Sequence, residues 1–127
     1  MHNRTLFYTQ AALLLLIAIV HAFALTYDLY WYYPLLNRVV HFSGGVWIAL
    51  ASIWLLARHG RKFGFLQIIA IVMLVSIAWE LFEVVIGMTH EKDYVLDTSL
   101  DLTMDFLGGV CGFFLARRFT RADTLDS

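Results

Sequence analysis

Asp97, Asp101 and Asp105 recur at every fourth position at the head of an apolar segment that runs on to Ala116 and stops at Arg117-Arg118. In a helix each step of four residues turns about 400°, so the three drift only about 40° per step and line one stripe about 12 Å long. Like charges at this spacing repel mildly even in water, and acids inside a membrane-spanning helix are rare and costly. Something must compensate the stripe. Two more acids, Glu80 and Glu83, close an earlier apolar run, and His41 stands near the start of another. Carboxylates with one imidazole suit a divalent ion such as Zn²⁺, Mn²⁺ or Fe²⁺ better than a soft metal. The same set suits metal-assisted hydrolysis, with Glu80 as candidate general base towards a metal-activated water.

The elements that hold these residues follow from composition. The chain has 127 residues, of which 61% are hydrophobic and only 15% charged, with mean hydropathy +0.72. A soluble domain is nearer roughly 45–50% apolar and 25% charged. Lipid requires each backbone segment to close its own hydrogen bonds. The expected fold is therefore all-α, a single integral membrane domain built as a four-helix transmembrane bundle. The net charge of −1 offers no basic footprint for nucleic acid. Cys111, the one cysteine, lies within an apolar run and can form no intrachain disulfide.

Four spans are expected, at about 6–25, 36–57, 63–86 and 97–116, each long enough for a hydrocarbon core of about 30 Å. Ala22-Phe23-Ala24 resembles a signal-peptidase site. The run before it is longer than a usual signal core, so the expectation is that it is not cut. Tyr27, Tyr30, Trp31, Tyr32 and Tyr33 form an aromatic belt, and Pro34 suits a first helical turn. The polar tail, 120–127, is expected to have no fold of its own. Arg4, the Arg58-His59-Gly60-Arg61-Lys62 loop and Arg117, Arg118 and Arg121 fall on one side of a four-span chain. Asp28, Arg38, Glu91, Lys92 and Asp93 fall on the other. The excess of basic loops places both termini in the cytoplasm, with Arg61 and Ser127 inside and Glu91 outside.

This topology gathers the polar residues at the outer end. His41 lies about five residues inside its span, Glu83 about four, Glu80 about seven, Asp101 about four and Asp105 about eight. At about 1.5 Å per residue, Glu80 and Asp105 are at equal depth and are expected to bridge one cation or share one proton. The proposed ligands are His41, Glu80, Glu83, Asp101 and Asp105, with Asp97 at the entrance. Plainer roles compete. Asp97 would serve as an N-cap, Glu83 would sit in interfacial water, and His41 would be a satisfied core histidine. His21 with His41 suggests a bis-histidine haem, but no spacing signature supports it. Gly108 and Gly112 form a small-xxx-small pair, and Gly44-Gly45 a second small patch, both suited to close helix packing.

Tyr94-Val95-Leu96-Asp97-Thr98-Ser99-Leu100-Asp101-Leu102, closing on Asp105-Phe106-Leu107-Gly108-Gly109, resembles the last motif of YjdF-like bacterial inner-membrane proteins. His41 and the Glu80/Glu83 pair fit the same pattern, and VanZ-like proteins are more distantly similar. The resemblance implies a small multi-pass protein of the bacterial inner membrane with polar intramembrane residues that matter, and no settled activity. The leading expectation is divalent-metal binding in the bilayer. The alternatives are a metal-dependent hydrolase on a lipid-linked substrate, an ion or proton pathway, and a structural subunit of a larger membrane complex or homo-oligomer. Against a pathway, the inner halves of spans two to four offer only Ser52, Gln67 and Ser76.

Overall fold

The computed structural model describes residues 4–88 and 93–125, with side chains described as far as residue 120. His2, His90, Glu91, Lys92 and Ser127, and the side chain of Arg121, lie outside that description. The order is α1 (Arg4–Thr26), α2 (Leu29–Tyr32), α3 (Pro34–Arg58), α4 (Phe65–Val85) and α5 (Tyr94–Leu125), and no strand forms among the described residues. Among the described residues, four helices are long and apolar enough to cross a membrane: α1, α3, α4 and the Tyr94–Thr120 part of α5. Large apolar side chains stay exposed along them, among them Leu15, Leu66, Leu74 and Val85. On a surface meant for lipid this carries no penalty.

The turns explain where the helices stop. Asp28 takes the left-handed conformation (φ 52°) between α1 and α2, which aspartate tolerates better than most residues. Pro34 opens α3 in its first turn, where a missing N–H costs nothing. Helices α3 and α4 end in the same way. Gly60 (φ 64°) and Gly87 (φ 73°) reverse the chain. The Arg61 N–H donates to the Leu56 carbonyl and the Gly60 N–H to that of Ala57; Met88 and Gly87 donate likewise to Glu83 and Val84. This pairing satisfies carbonyls that a helix end leaves free.

Two expectations about α5 are corrected. Asp97 is not its N-cap: the helix opens three residues earlier, and the Asp93 carboxylate accepts from the Leu96 N–H at 3.2 Å. Nor is the tail from residue 120 without structure, because α5 continues to Leu125. No proline or glycine interrupts Arg117-Arg118-Phe119-Thr120-Arg121-Ala122-Asp123, and the Thr120 hydroxyl folds back onto the Ala116 carbonyl.

Helices α3 and α5 run parallel and form the main packing contact of the bundle, with α4 crossing back between them in sequence. Both begin at the end carrying α2 and its tyrosines, here the tyrosine end; the Arg58–Lys62 loop marks the opposite, basic end. Small residues set the α3–α5 distance. A Cβ on Gly45 would collide with the Asp105 carbonyl, and one on Gly108 with the Phe42 carbonyl. One on Gly112 would meet the Val46 carbonyl at 2.7 Å and the Ala49 Cβ at 2.9 Å. Towards the basic end the interior is apolar: Leu6, Ala49, Leu50, Ile53, Ile68, Val72, Phe113 and Ala116 are buried together.

Gly108→Leu is therefore expected to destabilise the bundle at the upper end of, or beyond, the roughly 1–3 kcal/mol of ordinary overpacking, because the obstacle is backbone. Gly44→Ala should be close to neutral, its Cβ meeting Asp105 Oδ1 at an ordinary 3.9 Å. Thermal unfolding in detergent compares the two, and equal melting temperatures would contradict the close approach.

Candidate functional site

Because α3 and α5 are parallel, polar residues of α3 meet acids about 64 positions later. Asn37 Nδ2 lies 3.1 Å from both carboxylate oxygens of Asp101. Arg38 spans two acids: Nη2 is 2.9 Å from Asp97 Oδ1, and Nη1 pairs with Asp101 Oδ1. His41 Nδ1 is 3.2 Å from Asp105 Oδ2. Its other nitrogen, Nε2, is 3.5 Å from Asp101 Oδ2 and 3.9 Å from Glu80 Oε1. The aspartate stripe is thus zipped to Asn37, Arg38 and His41, and α4 delivers Glu80 to the same ring. His41, Glu80, Asp101 and Asp105 are all buried, the last three at 5%, 2% and 4% exposure.

Glu80 is the unfinished member. Its Oε2 accepts from the Thr98 hydroxyl at 3.2 Å, whereas Oε1 is buried with no hydrogen-bond partner among the described residues. An unmet buried carboxylate oxygen costs more than a neutral polar atom would. One ligand atom each from His41, Glu80 and Asp101 lie within 4.8 Å of one another. Ligands 2.0–2.1 Å from a tetrahedral ion stand about 3.3 Å apart, so the two measured separations from Nε2 need only small inward movements. Asp101 Oδ1 is taken by Arg38 and Asn37, but each carboxylate oxygen has two lone pairs, and Oδ2 retains one.

With Nδ1–H donated to Asp105, neutral His41 presents the Nε2 lone pair to Asp101 and Glu80. A carboxylate behind a histidine in this way fixes its tautomer and raises its basicity as a ligand. When both nitrogens are protonated, the same ring instead supplies a positive charge among three acids. The expected direct bridge between Glu80 and Asp105 is corrected here. Equal depth along neighbouring helices does not fix azimuth, and the His41 ring stands between the two carboxylates.

The family model described as "Predicted membrane protein (DUF2238)" matches residues 2–122. The chain belongs to this family. No curated protein and no solved structure matches it. The family description carries membrane location only, so the chemistry of this DUF2238 chain is read from its own residues.

The remaining site residues fall at the rim. Glu83 is half-buried and accepts from Trp79 Nε1 at 2.9 Å; it is outside the convergent group of three. Asp97, with its side chain 20% exposed, is held by Arg38. His21 is 2.7 Å from the Tyr30 hydroxyl through Nδ1 and lies edge-on to Trp79. Tyr30, unlike its exposed neighbours Tyr27, Trp31, Tyr32 and Tyr33, turns inward. Burial first, and then Glu83 nearby, push its phenol up to about 12, so it stays protonated at neutral pH.

By sequence alone Arg38 counts as a topological charge and Asn37 has no assigned role. The available signal was their spacing: Asn37 and Arg38 lie four and three residues before His41, on one helix face. Using it required knowing that α3 and α5 are in parallel register.

Two cavities flank the site. One, of about 170 Å³, opens at the tyrosine end and is lined by Asp28, Glu80, Glu83, Asp97 and Asp101 with aromatic neighbours. The other, of about 270 Å³, is mainly apolar and runs alongside His41 and Asp105.

Proposed function

We propose that this DUF2238 protein binds a divalent cation inside the bilayer through His41 Nε2, Glu80 and Asp101. Asp105 holds the histidine from behind, while Asp97 and Glu83 stand at the entrance. The observation that carries the reading is the buried, unpartnered Glu80 Oε1 facing the only His41 nitrogen not given to Asp105. Three protein ligands leave a further coordination position for water or substrate. Zn²⁺, Mn²⁺ and Fe²⁺ fit the donor set. The test is the metal content of protein purified in detergent without chelator, then stripped and reloaded. About one ion per chain, lost in Glu80→Gln, supports the site. Equal binding by wild type and Glu80→Gln overturns it.

A second reading has its own support. The apolar cavity beside the site offers room for part of a lipid-linked substrate, on which an ion held by His41 and Asp101 would activate water with Glu80 as general base in place of ligand. Turnover of such a substrate separates this reading from simple metal binding. A conducting pathway draws no support, since the apolar core described above closes the basic half of the bundle.

We further propose a bacterial inner-membrane location with both termini cytoplasmic, on the basic residues gathered at one end and on the YjdF-like motif. In a Cys111→Ser background, a membrane-impermeant thiol reagent applied to intact cells should label Trp31→Cys and spare Arg61→Cys. The reverse pattern would invert the topology.

A further inference from the structure

Helix α1 packs against α3, α2 and α5, but among the described residues its backbone nowhere approaches that of α4. The gap between α1 and α4 is the 270 Å³ cavity. Leu14, Ile17 and Ala18 form one wall and Val75 and Trp79 the other, while α3 closes the back with Val40, His41, Trp47 and Ile48 around the bare Gly44. Its polar lining is sparse and includes Ser76, whose buried Oγ has no hydrogen-bond partner among the described residues. Near the tyrosine end the cavity lies against the acidic mouth, with His21, Tyr30, Asn37 and Glu83 lining both.

We infer that the crevice between α1 and α4 receives one hydrocarbon chain of a lipid whose protonated amine lies in the acidic mouth. Size selects the chain. The space exceeds the roughly 150 Å³ of an apolar cavity that holds benzene, but a helix, about 10–12 Å across with its side chains, would not enter. From Asn37 to Ile48 the α3 wall is about 16 Å long at 1.5 Å per residue, the reach of a medium-length alkyl chain. Position selects it as well, since a gap between two spanning helices opens sideways into the bilayer.

Charge selects the head. Asp28, Glu80, Glu83, Asp97 and Asp101 line the mouth, and among the described residues no lysine or arginine does. Arg38 from behind and one divalent ion would match at most three of these five acids. An ammonium group would offset one of the two left over, and Tyr30, Trp31 and Tyr94 add aromatic faces of the kind that attract cations. A chain gains little by leaving lipid for an equally apolar crevice, so the head supplies most of the selectivity. This site does not depend on the metal.

Trp47 and Trp79 line the crevice, so a brominated chain bound there quenches their fluorescence at short range. The probes are dodecyl chains brominated near the methyl end and carrying an amine or a carboxylate, added to the full chain in maltoside. The assay is run with chelator and again with saturating Zn²⁺. Saturable quenching by the amine, at least about tenfold tighter than by the carboxylate and reversed by plain dodecylamine, supports the proposal. Gly44→Leu and Ala18→Phe fill the crevice and should abolish that quenching, whereas Leu15→Phe on the lipid-facing side of α1 should not. Equal quenching by amine and carboxylate, or quenching that plain dodecylamine fails to reverse, overturns it. Competition is read on wild-type protein, so it tests the crevice even if a filled variant fails to fold. Amine selectivity in protein that binds no metal would sink the metal reading alone.

Discussion

Glu80→Gln removes more bound metal than any other single change at the rim or behind the histidine. The substitution keeps the shape and the Thr98 contact but replaces a charged oxygen donor with an amide. Loss of an outer partner of a metal ligand typically costs about 10–100-fold in affinity, so Asp105→Asn should fall in that range and Glu80→Gln beyond it. Asp97→Asn should change affinity least, because Asp97 is tied to Arg38 and lies outside the group of three. Affinity should also fall as pH falls, since protons compete for both carboxylates and for His41 Nε2. Competition against a chromophoric chelator measures all four proteins across pH. Identical affinities in Glu80→Gln and Asp97→Asn would remove Glu80 from the site.

Arg38→Met should cost the bundle the lower end of the roughly 3–5 kcal/mol lost when one partner of a buried ion pair is removed, because Asp101 is buried while the Arg38 side chain is 19% exposed. Among the described residues, Asp101, 2% exposed, would keep only Asn37 and His41 as neighbours that can offer it protons. Arg38→Lys should recover part of the loss, because an ammonium is a point charge and cannot span Asp97 and Asp101 as the guanidinium fork does. Asp101→Asn in the Arg38→Met background should cost much less than in wild type, a coupling that a double-mutant cycle isolates. Unfolding in mixed micelles gives these values, and strictly additive losses would mean that the pair does not hold α3 to α5.

The membrane class, the four spanning helices and the gathering of polar residues at one end were legible in the sequence. Each depends on local composition and on the even number of crossings, which alone fixes which ends of helices share a side. The small residues at positions 45, 108 and 112 were legible too, since only such residues let backbones touch in lipid. Pairing within the polar layer was not legible. Depth follows from counting residues, but azimuth follows from how each helix rotates against its neighbours. The tertiary structure rotated α3 so that Arg38 and His41 face the aspartate stripe, and it set the His41 ring between Glu80 and Asp105, which counting had paired directly. It also left the backbones of α1 and α4 apart, with the crevice between them. No sequence pattern encodes that gap, because a helix facing an apolar crevice and one facing lipid require the same side chains.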